Sequence, residues 1–478
     1  RKLYKSGYSN LELSVARTDT LNPDRSINKS DSKTRFHIKA EGEFQTNAFG
    51  HSGVFGYDIM RVSDPFRTYL KKYDISEDDI LNSKVYYNNF NQEEYFTAEV
   101  LQFQGLRTRD SFKITPQAYP RLTYFKTKEL RENLVWDYDV HFLNLYRSQG
   151  RNIRRLGMDT KILGRKYEDQ YHFSYFANLK LDYYHSEVNN ANGNALTAYN
   201  KELGITTDRR KLVYLRAFPK LGAELKLPFY SRKQNKRFVF EPRAAFVISP
   251  KVEDKKQIIN EDSQSPELQI NNVFLDNLYK GRDRLEDGTR LSYGVRTLYY
   301  QNQYRLLFEA GQLYLFDKNR DFGNQSGLTN NFSDYVTKVQ LNYKDMVSIT
   351  NKLRLDQSDF AIENNETNLL IHYKPINFTV DFYGLGKKSI QDTDLQFRNE
   401  VHTTFELELP HNFAFKYFTK NRVGPRSASE KKFIAQGMNL MYKGKCLEAN
   451  FGVERKYTSR NDLKPTTEYE LRFNVPLY

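Results

Sequence analysis

EYELRFNVPLY, residues 468–478, is the stretch whose reading decides the fold. Tyr469, Leu471, Phe473, Val475 and Leu477 alternate with Glu470, Arg472, Asn474 and Pro476, so an extended chain carries one apolar face and one polar face. The same pattern stands at Phe36, Ile38, Ala40, Gly42 and Phe44, against His37, Lys39, Glu41 and Glu43. It recurs at Tyr171, Phe173, Tyr175, Ala177, Leu179 and Leu181, at 221–229, at 401–409 and at 447–453. Several of these runs reach the ~9–11 residues that a tilted strand needs to cross a bilayer.

Between the runs lie polar segments, NNANGN at 189–194, KNRDFGNQSG at 318–327 and RVGPRSASEKK at 422–432, which read as loops or hairpin turns. LKKYDISEDDILNS at 70–83 carries at most a helical turn or two, and its charge density suits a loop better. Strand-to-strand intervals of roughly 20 residues give about 20 strands or slightly more. No internal repeat of fixed period occurs, which argues against a propeller or a β-solenoid.

Of the 478 residues 15% are aromatic, with 35 Tyr and 34 Phe but one Trp. The mean hydropathy of −0.76 is too polar for a bundle of membrane helices, and no run of about 18 apolar residues exists. A barrel needs no such run, because only alternate residues of each strand meet lipid. A soluble sandwich also alternates. A sheet of this size with charges on one face of nearly every strand, however, has no second sheet to cover that face, whereas a barrel makes it a wet lumen. Tyr183 with Tyr184 and Tyr299 with Tyr300 are read as girdle residues near strand ends. The expected fold class is therefore all-β, a large antiparallel transmembrane β-barrel in which residues 1–478 form one barrel domain.

The chemistry of soluble enzymes is missing: no HExxH helix, Walker loop, GxSxG elbow or GxGxxG after a strand. His37, His172, His372 and His402 lie in or near strands without a nucleophile motif, so no catalytic residue, metal site or cofactor is expected. The formal charge of +14 is spread along the chain among 59 acidic residues, which suits a solvated surface and not nucleic acid. A single cysteine, Cys446, excludes an internal disulfide framework and leaves one bond to elsewhere. It stands before a strand beside Lys443 and Lys445. Between 260 and 296, Asn260, Glu261, Asp262, Asp283, Arg284, Glu286, Asp287 and Arg290 gather beside Gly281 and Gly288. In a barrel that segment suits an inward-folded loop or a polar strand face, and an ordinary surface loop is equally open on the residues alone. The chain opens at Arg1 without a signal peptide, so a leader and a further domain are expected upstream.

From about residue 35 onward a series of motifs resembles LptD, the lipopolysaccharide-assembly protein of the outer membrane, in its alphaproteobacterial form. The series is YDIMRVSDPFRTYLKKY at 57–73, FQGLR at 103–107, FEPRAAFVISP at 240–250, NEDSQSPELQINNVF at 260–274 and GRDRLEDGTRLSYGVR at 281–296, then SDYV at 333–336 and KCLEANFGVERKYTSRNDLKPTTEYELRFNV at 445–475. The resemblance implies a periplasmic jelly roll and first strands outside this chain, and a very large barrel that opens sideways. It implies a lumen role for Glu261, Asp262, Asp283, Arg284, Asp287 and Arg290. It also implies a disulfide from Cys446 to an upstream cysteine, although Leu447 stands where some members carry a second adjacent cysteine. Tyr469, Leu471, Phe473, Val475 and Pro476 would belong to the lateral-gate strand, whose ladder Pro476 weakens or simply ends. The implied partners are lipopolysaccharide, outer-membrane lipids, an LptE-like lipoprotein plug and a periplasmic LptA-like bridge reached through the N-terminal domain. The implied activity is that of a translocon and not of an enzyme. Composition alone is shared by a general porin or a plugged nutrient transporter, and a soluble carbohydrate-binding protein or an outer-membrane hydrolase are further alternatives.

Overall fold

The computed structural model describes residues 2–4, 6–21, 27–48, 50–63, 70, 80–107, 110–189, 211–252, 258–317, 322–323, 325–386, 399–423, 433–444, 446–457 and 466–475. Among them the chain forms 24 strand segments. The first eight are β1 (Lys2–Tyr4), β2 (Gly7–Leu21), β3 (Ile27–Ala48), β4 (His51–Val62), β5 (Ile80–Phe90), β6 (Glu94–Gly105), β7 (Gln117–Arg131) and β8 (Leu134–Tyr146). The middle eight are β9 (Gly150–Tyr167), β10 (His172–Asn189), β11 (Lys211–Lys226), β12 (Phe229–Lys233), β13 (Lys236–Ile248), β14 (Thr289–Gln301), β15 (Tyr304–Leu315) and β16 (Tyr335–Tyr343). The last are β17 (Val347–Leu355), β18 (Ile362–Tyr373), β19 (Ile376–Leu385), β20 (Asn399–Leu409), β21 (Phe413–Val423), β22 (Phe433–Lys443), β23 (Glu448–Lys456) and β24 (Thr466–Asn474).

Apart from β11 and β12, each strand pairs antiparallel with the next in sequence, so one sheet runs from β1 to β24. The segments β11 and β12 both pair with β13 and share one position, broken at Leu227 and Pro228, where proline offers no N–H to the ladder. Among the described residues no pairing joins β24 to β1 or β2.

The polarity of this sheet is the reverse of a soluble protein's. On β10, Leu179, Leu181 and Tyr183 are exposed at 39%, 41% and 40%, whereas Lys180, Asp182 and Tyr184 are buried at 5%, 3% and 4%. On β11, Val213 and Leu215 face out while Arg216, Phe218 and Lys220 are buried, and on β3 Phe36 and Ile38 face out beside buried Arg35 and His37. Lys, Arg and Asp are almost never buried without partners, so an inward charged face demands a partnered or wet interior and an apolar exterior solvent. Along β10 the outward apolar band runs from Phe173 to Tyr183. Ten residue steps span ~33 Å, which a tilt of ~45° reduces to ~23 Å, close to the ~25 Å apolar band of outer-membrane barrels.

Connections alternate in length. At one end the turns are short, as at 132–133, 302–303, 344–346 and 410–412, while at the other they are long, as at 106–116, 249–288 and 316–334. In this architecture short turns face the periplasm and long loops the outside. Aromatic pairs mark both ends. Tyr304 with Tyr343 and Phe413 with Tyr442 lie at the short-turn end, and Tyr314 with Phe332 and Tyr335 with Phe360 at the other.

Some expectations need correction. Tyr299 and Tyr300 do close β14, but β10 continues to Asn189, so Tyr183 and Tyr184 stand within it and on opposite faces. Tyr184 is therefore an interior residue and not a girdle residue. The C-terminal strand ends at Asn474, leaving Val475 beyond it, and Pro476 and Leu477 lie outside the described residues. Residues 71–79, 190–194, 318–321 and 424–432, read above as parts of loops, also lie outside them. The estimate of about 20 strands or slightly more agrees with the 24 segments in one sheet.

Candidate functional site

After β13 the chain does not turn tightly into β14. Above Leu221 strand β11 loses its β13 neighbour, and Pro219 sits on that one-sided stretch, where a missing N–H costs no ladder bond. Residues 258–288 fold back against the inner wall.

The segment is pinned by ion pairs to charged residues on the polar faces of the strands. The Arg155 guanidinium on β9 bridges two carboxylates, donating to Asp283 at 2.5 Å and Asp262 at 2.8 Å. Asp283 also accepts from the Tyr184 hydroxyl at 3.1 Å and from the backbone N–H of Glu261 at 2.9 Å and Asp262 at 3.2 Å. Arg216 on β11 donates to Asp182 at 2.7 Å and to the carbonyls of Arg282 and Asp283, both at 2.8 Å. Arg282 forms a bidentate pair with Asp139 on β8, at 2.7 and 2.8 Å, and touches His141 Nδ1 at 2.9 Å. Arg147, just past β8, holds Glu261 at 2.6 Å. Lower in the wall Lys161 reaches Asp276 at 2.5 Å and Lys220 donates to the Asp276 carbonyl. Arg290 holds Glu286 at 2.9 Å, and Glu286 accepts the Leu278 N–H. Lys161 is in register with Asn178, midway along the β10 band, so the segment descends from the long-loop end to mid-depth.

Apolar contacts flank this charged centre. Ile258 and Ile259 join Leu101, Ala118, Leu143 and Ile153 in one cluster, and Leu268, Val273, Leu278 and Tyr279 join Leu313 and Val336 in another. Paired Gly294 and Gly311 make a notch. A Cβ at Gly294 would meet Phe274 at 3.1 Å and one at Gly311 would meet Val273 at 3.3 Å. Arg243 lies 3.5 Å over the Phe274 ring. Gly281 has φ +94°, and a Cβ there would stand 2.3 Å from the Asp262 carbonyl oxygen, so only glycine fits. Burial works against the charged form of Asp262, but Arg155 and the Arg282 N–H outweigh it and hold the carboxyl well below its usual range.

These contacts also measure the curvature. Arg282 touches β8, while Glu267 touches Arg354 on β17 at 3.6 Å and Asn364 on β18 at 2.7 Å. With β11 and β12 sharing one position, the nine spacings from β8 to β18 would span ~43 Å in a flat sheet. Gln264 bridges to Lys280, so Glu267 and Arg282 lie within roughly 22 Å of chain. The sheet therefore curls around the segment.

Of the residues singled out in the sequence, Glu261, Asp262, Asp283 and Arg290 meet in this network. Arg284 and Asp287 make more peripheral bonds, the Arg284 N–H to Ser263 Oγ and Asp287 accepting the Val252 N–H. The wall residues Arg147, Arg155, Tyr184 and Arg216 escaped the sequence reading, since alternation shows a polar face but not what covers it. One available signal was Gly157, on the polar face of β9, where a Cβ would meet His141 at 2.3 Å. Cys446 is a free, exposed thiol in the 444–447 turn, at the short-turn end. Tyr469, Leu471, Phe473 and Val475 are all more than half exposed.

Comparison with known proteins places this geometry in a family. A family model described as LptD, LPS transport system D, matches residues 33–413. LPS-assembly protein LptD of Salmonella typhimurium is 24% identical over 289 residues, covering 56% of this chain and 35% of that protein. LptD of Escherichia coli is 23% identical over 339 residues, covering 67% of this chain and 40% of that protein. The chain thus spans well under half the length of these relatives. Among solved structures, the ferric enterobactin receptor PfeA of Pseudomonas aeruginosa aligns with 99% of this chain and 81% of its own at a TM-score of 0.47 and 9% identity. With most of its length matched by the family model, an all-β sheet of reversed polarity and a charged interior, the chain belongs to the LptD family of outer-membrane β-barrel proteins.

Proposed function

We propose that this chain is the barrel portion of a translocon that inserts lipopolysaccharide into the outer leaflet, with strands outside residues 1–478 completing the barrel. The sugar and phosphate moiety passes through the hydrated lumen while the acyl chains stay in lipid, so no covalent step is needed from this chain. The observation that carries the reading is a charged inner wall bounded by two sheet edges, β1–β2 and β24, that do not pair with each other among the described residues. A closed sheet would have to break a ladder to release an amphiphile sideways, since every backbone group in lipid needs a partner. An edge pairing that forms and parts supplies a seam. Tyr469, Leu471 and Phe473 present the lipid side of that edge, and Glu470 and Arg472 the lumen side.

An LptE-like plug in the lumen and an LptA-like bridge on the periplasmic side fit the same reading, as does a disulfide from Cys446. The thiol stands at the short-turn end, where a periplasmic domain would lie, and the periplasm is oxidising. Non-reducing mass mapping of the mature protein decides that bond, and a free Cys446 there contradicts it.

The test of function uses the full-length protein in cells. Cysteine pairs between β24 and the strand facing it across the seam, once oxidised, are expected to stop lipopolysaccharide from reaching the surface while ion conductance through the lumen persists. Delivery at the unlocked rate would place the exit elsewhere. A barrel that conducts ions and small solutes but never carries lipopolysaccharide would be a porin.

A further inference from the structure

The lumen is not evenly occupied. The described contacts of residues 258–288 with the wall go to β8–β11 and β13–β18, and their root packs with Leu101 on β6 and Ala118 on β7. Among the described residues none of these contacts goes to β20–β24, while Ala16 on β2, Met60 and Val62 on β4 and Leu81 on β5 pack around the buried Leu70 and Leu106. The wall without such cover among the described residues is therefore the one that ends in the unpaired edge of β24.

The seat of the segment is built at three levels. Polar wall residues are matched by charge, Arg155 to two carboxylates and Arg282 to Asp139. The paired glycines 294 and 311 leave room for Val273 and Phe274. Gly281 supplies a backbone turn that another residue could not adopt without meeting Asp262. Lifting the segment would leave buried Arg155 without its two carboxylates and buried Arg216 without two carbonyl acceptors, whereas a hinged lid is drawn from weakly held loops.

We infer that residues 258–288 are a fixed partition that stays seated during transport and confines the passage to the part of the lumen walled by β19–β24. This rests on the translocon reading above and adds the route. In that part the lumen side of the strands carries Thr379, Thr404 and Asn439 beside Asp381 and the pairs His402–Glu400 and Lys416–Glu406, hydroxyl, amide and paired charged groups that suit a hydrated saccharide.

The test locks the partition in the full-length protein in its own outer membrane. In Val273→Cys with Gly311→Cys, a Cβ at 311 lies 3.3 Å from the Val273 methyl, within disulfide reach. The oxidised protein is expected to deliver lipopolysaccharide to the surface at the rate of its reduced form. Loss of delivery on oxidation, restored by reductant, overturns the inference and leaves the translocon reading standing. Should that pair fail to fold, Asp139→Cys with Arg282→Cys, bridged by a short bifunctional thiol reagent, gives the same comparison. A bulky maleimide on Thr404→Cys is expected to abolish delivery, and unchanged delivery there also overturns the proposed route. A protein that delivers no lipopolysaccharide in any state defeats the translocon reading itself, and the partition's role with it.

Discussion

The two halves of the inner wall carry the same kinds of residue and use them differently. On β8–β11 and β14, Asp139, Asp182, Arg155, Arg216 and Arg290 are buried beneath residues 258–288 or paired with their neighbours. On β20 and β21, Glu406 and Lys416 pair at 2.8 Å yet both stay more than a third exposed. The same alternation thus yields a dry ionic joint where a loop covers it and a wet wall where nothing described does. What separates them is desolvation. A covered charge that loses its partner is stranded, while an open one is rehydrated.

The comparison breaks if matched changes in the two halves have equal effects. The largest effect is expected from Asp283→Ala, which takes one of two carboxylates from buried Arg155 and leaves the Tyr184 hydroxyl and two backbone N–H groups without this acceptor. Loss of about 3–5 kcal/mol of unfolding free energy is expected, measured by denaturant titration of the full-length protein in bilayers. Gly281→Ala comes next at about 1–3 kcal/mol, because the new methyl meets the Asp262 carbonyl in a backbone region that alanine avoids.

A smaller, sharper test is pH. The Asp262 carboxyl is held low in the folded state, so its stabilisation is fully present above the unfolded carboxylate value of ~3.9 and fades as pH falls through the lower folded value. Labelling of Val273→Cys by a pyridyl disulfide, which reacts with thiols in acid, should therefore stay slow relative to a free thiol from neutral pH down to about 4 and rise only below it. Release of the segment near pH 6 would contradict the role given to Asp262. The smallest effect belongs to the open half, where Lys416→Met should change stability by only about 0–1 kcal/mol in the same titration.

These contrasts mark what the sequence could disclose. The period of two in YHFSYFANLKLDYY, residues 171–184, sorts its residues into two faces without coordinates, and the outward band from Phe173 to Tyr183 follows that sorting. It could not assign Tyr184 to the interior, because a tyrosine suits a girdle and a buried hydrogen-bonded site alike. The cluster from Asn260 to Arg290 was visible as charge beside glycine, but its partners come from over 100 residues away, as in Arg155 with Asp283 and Arg282 with Asp139. Such pairings depend on curvature and register, which no local pattern encodes. The end of β24 at Asn474 was likewise hidden, since Val475 keeps the alternation although the ladder stops before it.

The most direct test of the account is where lipopolysaccharide touches the wall. A photoreactive amino acid placed singly at lumen positions of the full-length protein in living cells would report it. Thr379, Thr404 and Asn439 sample the open half, and Asn178 and Leu298 sample strands of the covered one. The account predicts crosslinks to lipopolysaccharide from the first three and none from the last two. Crosslinks of equal yield from Asn178 and Leu298 would contradict it.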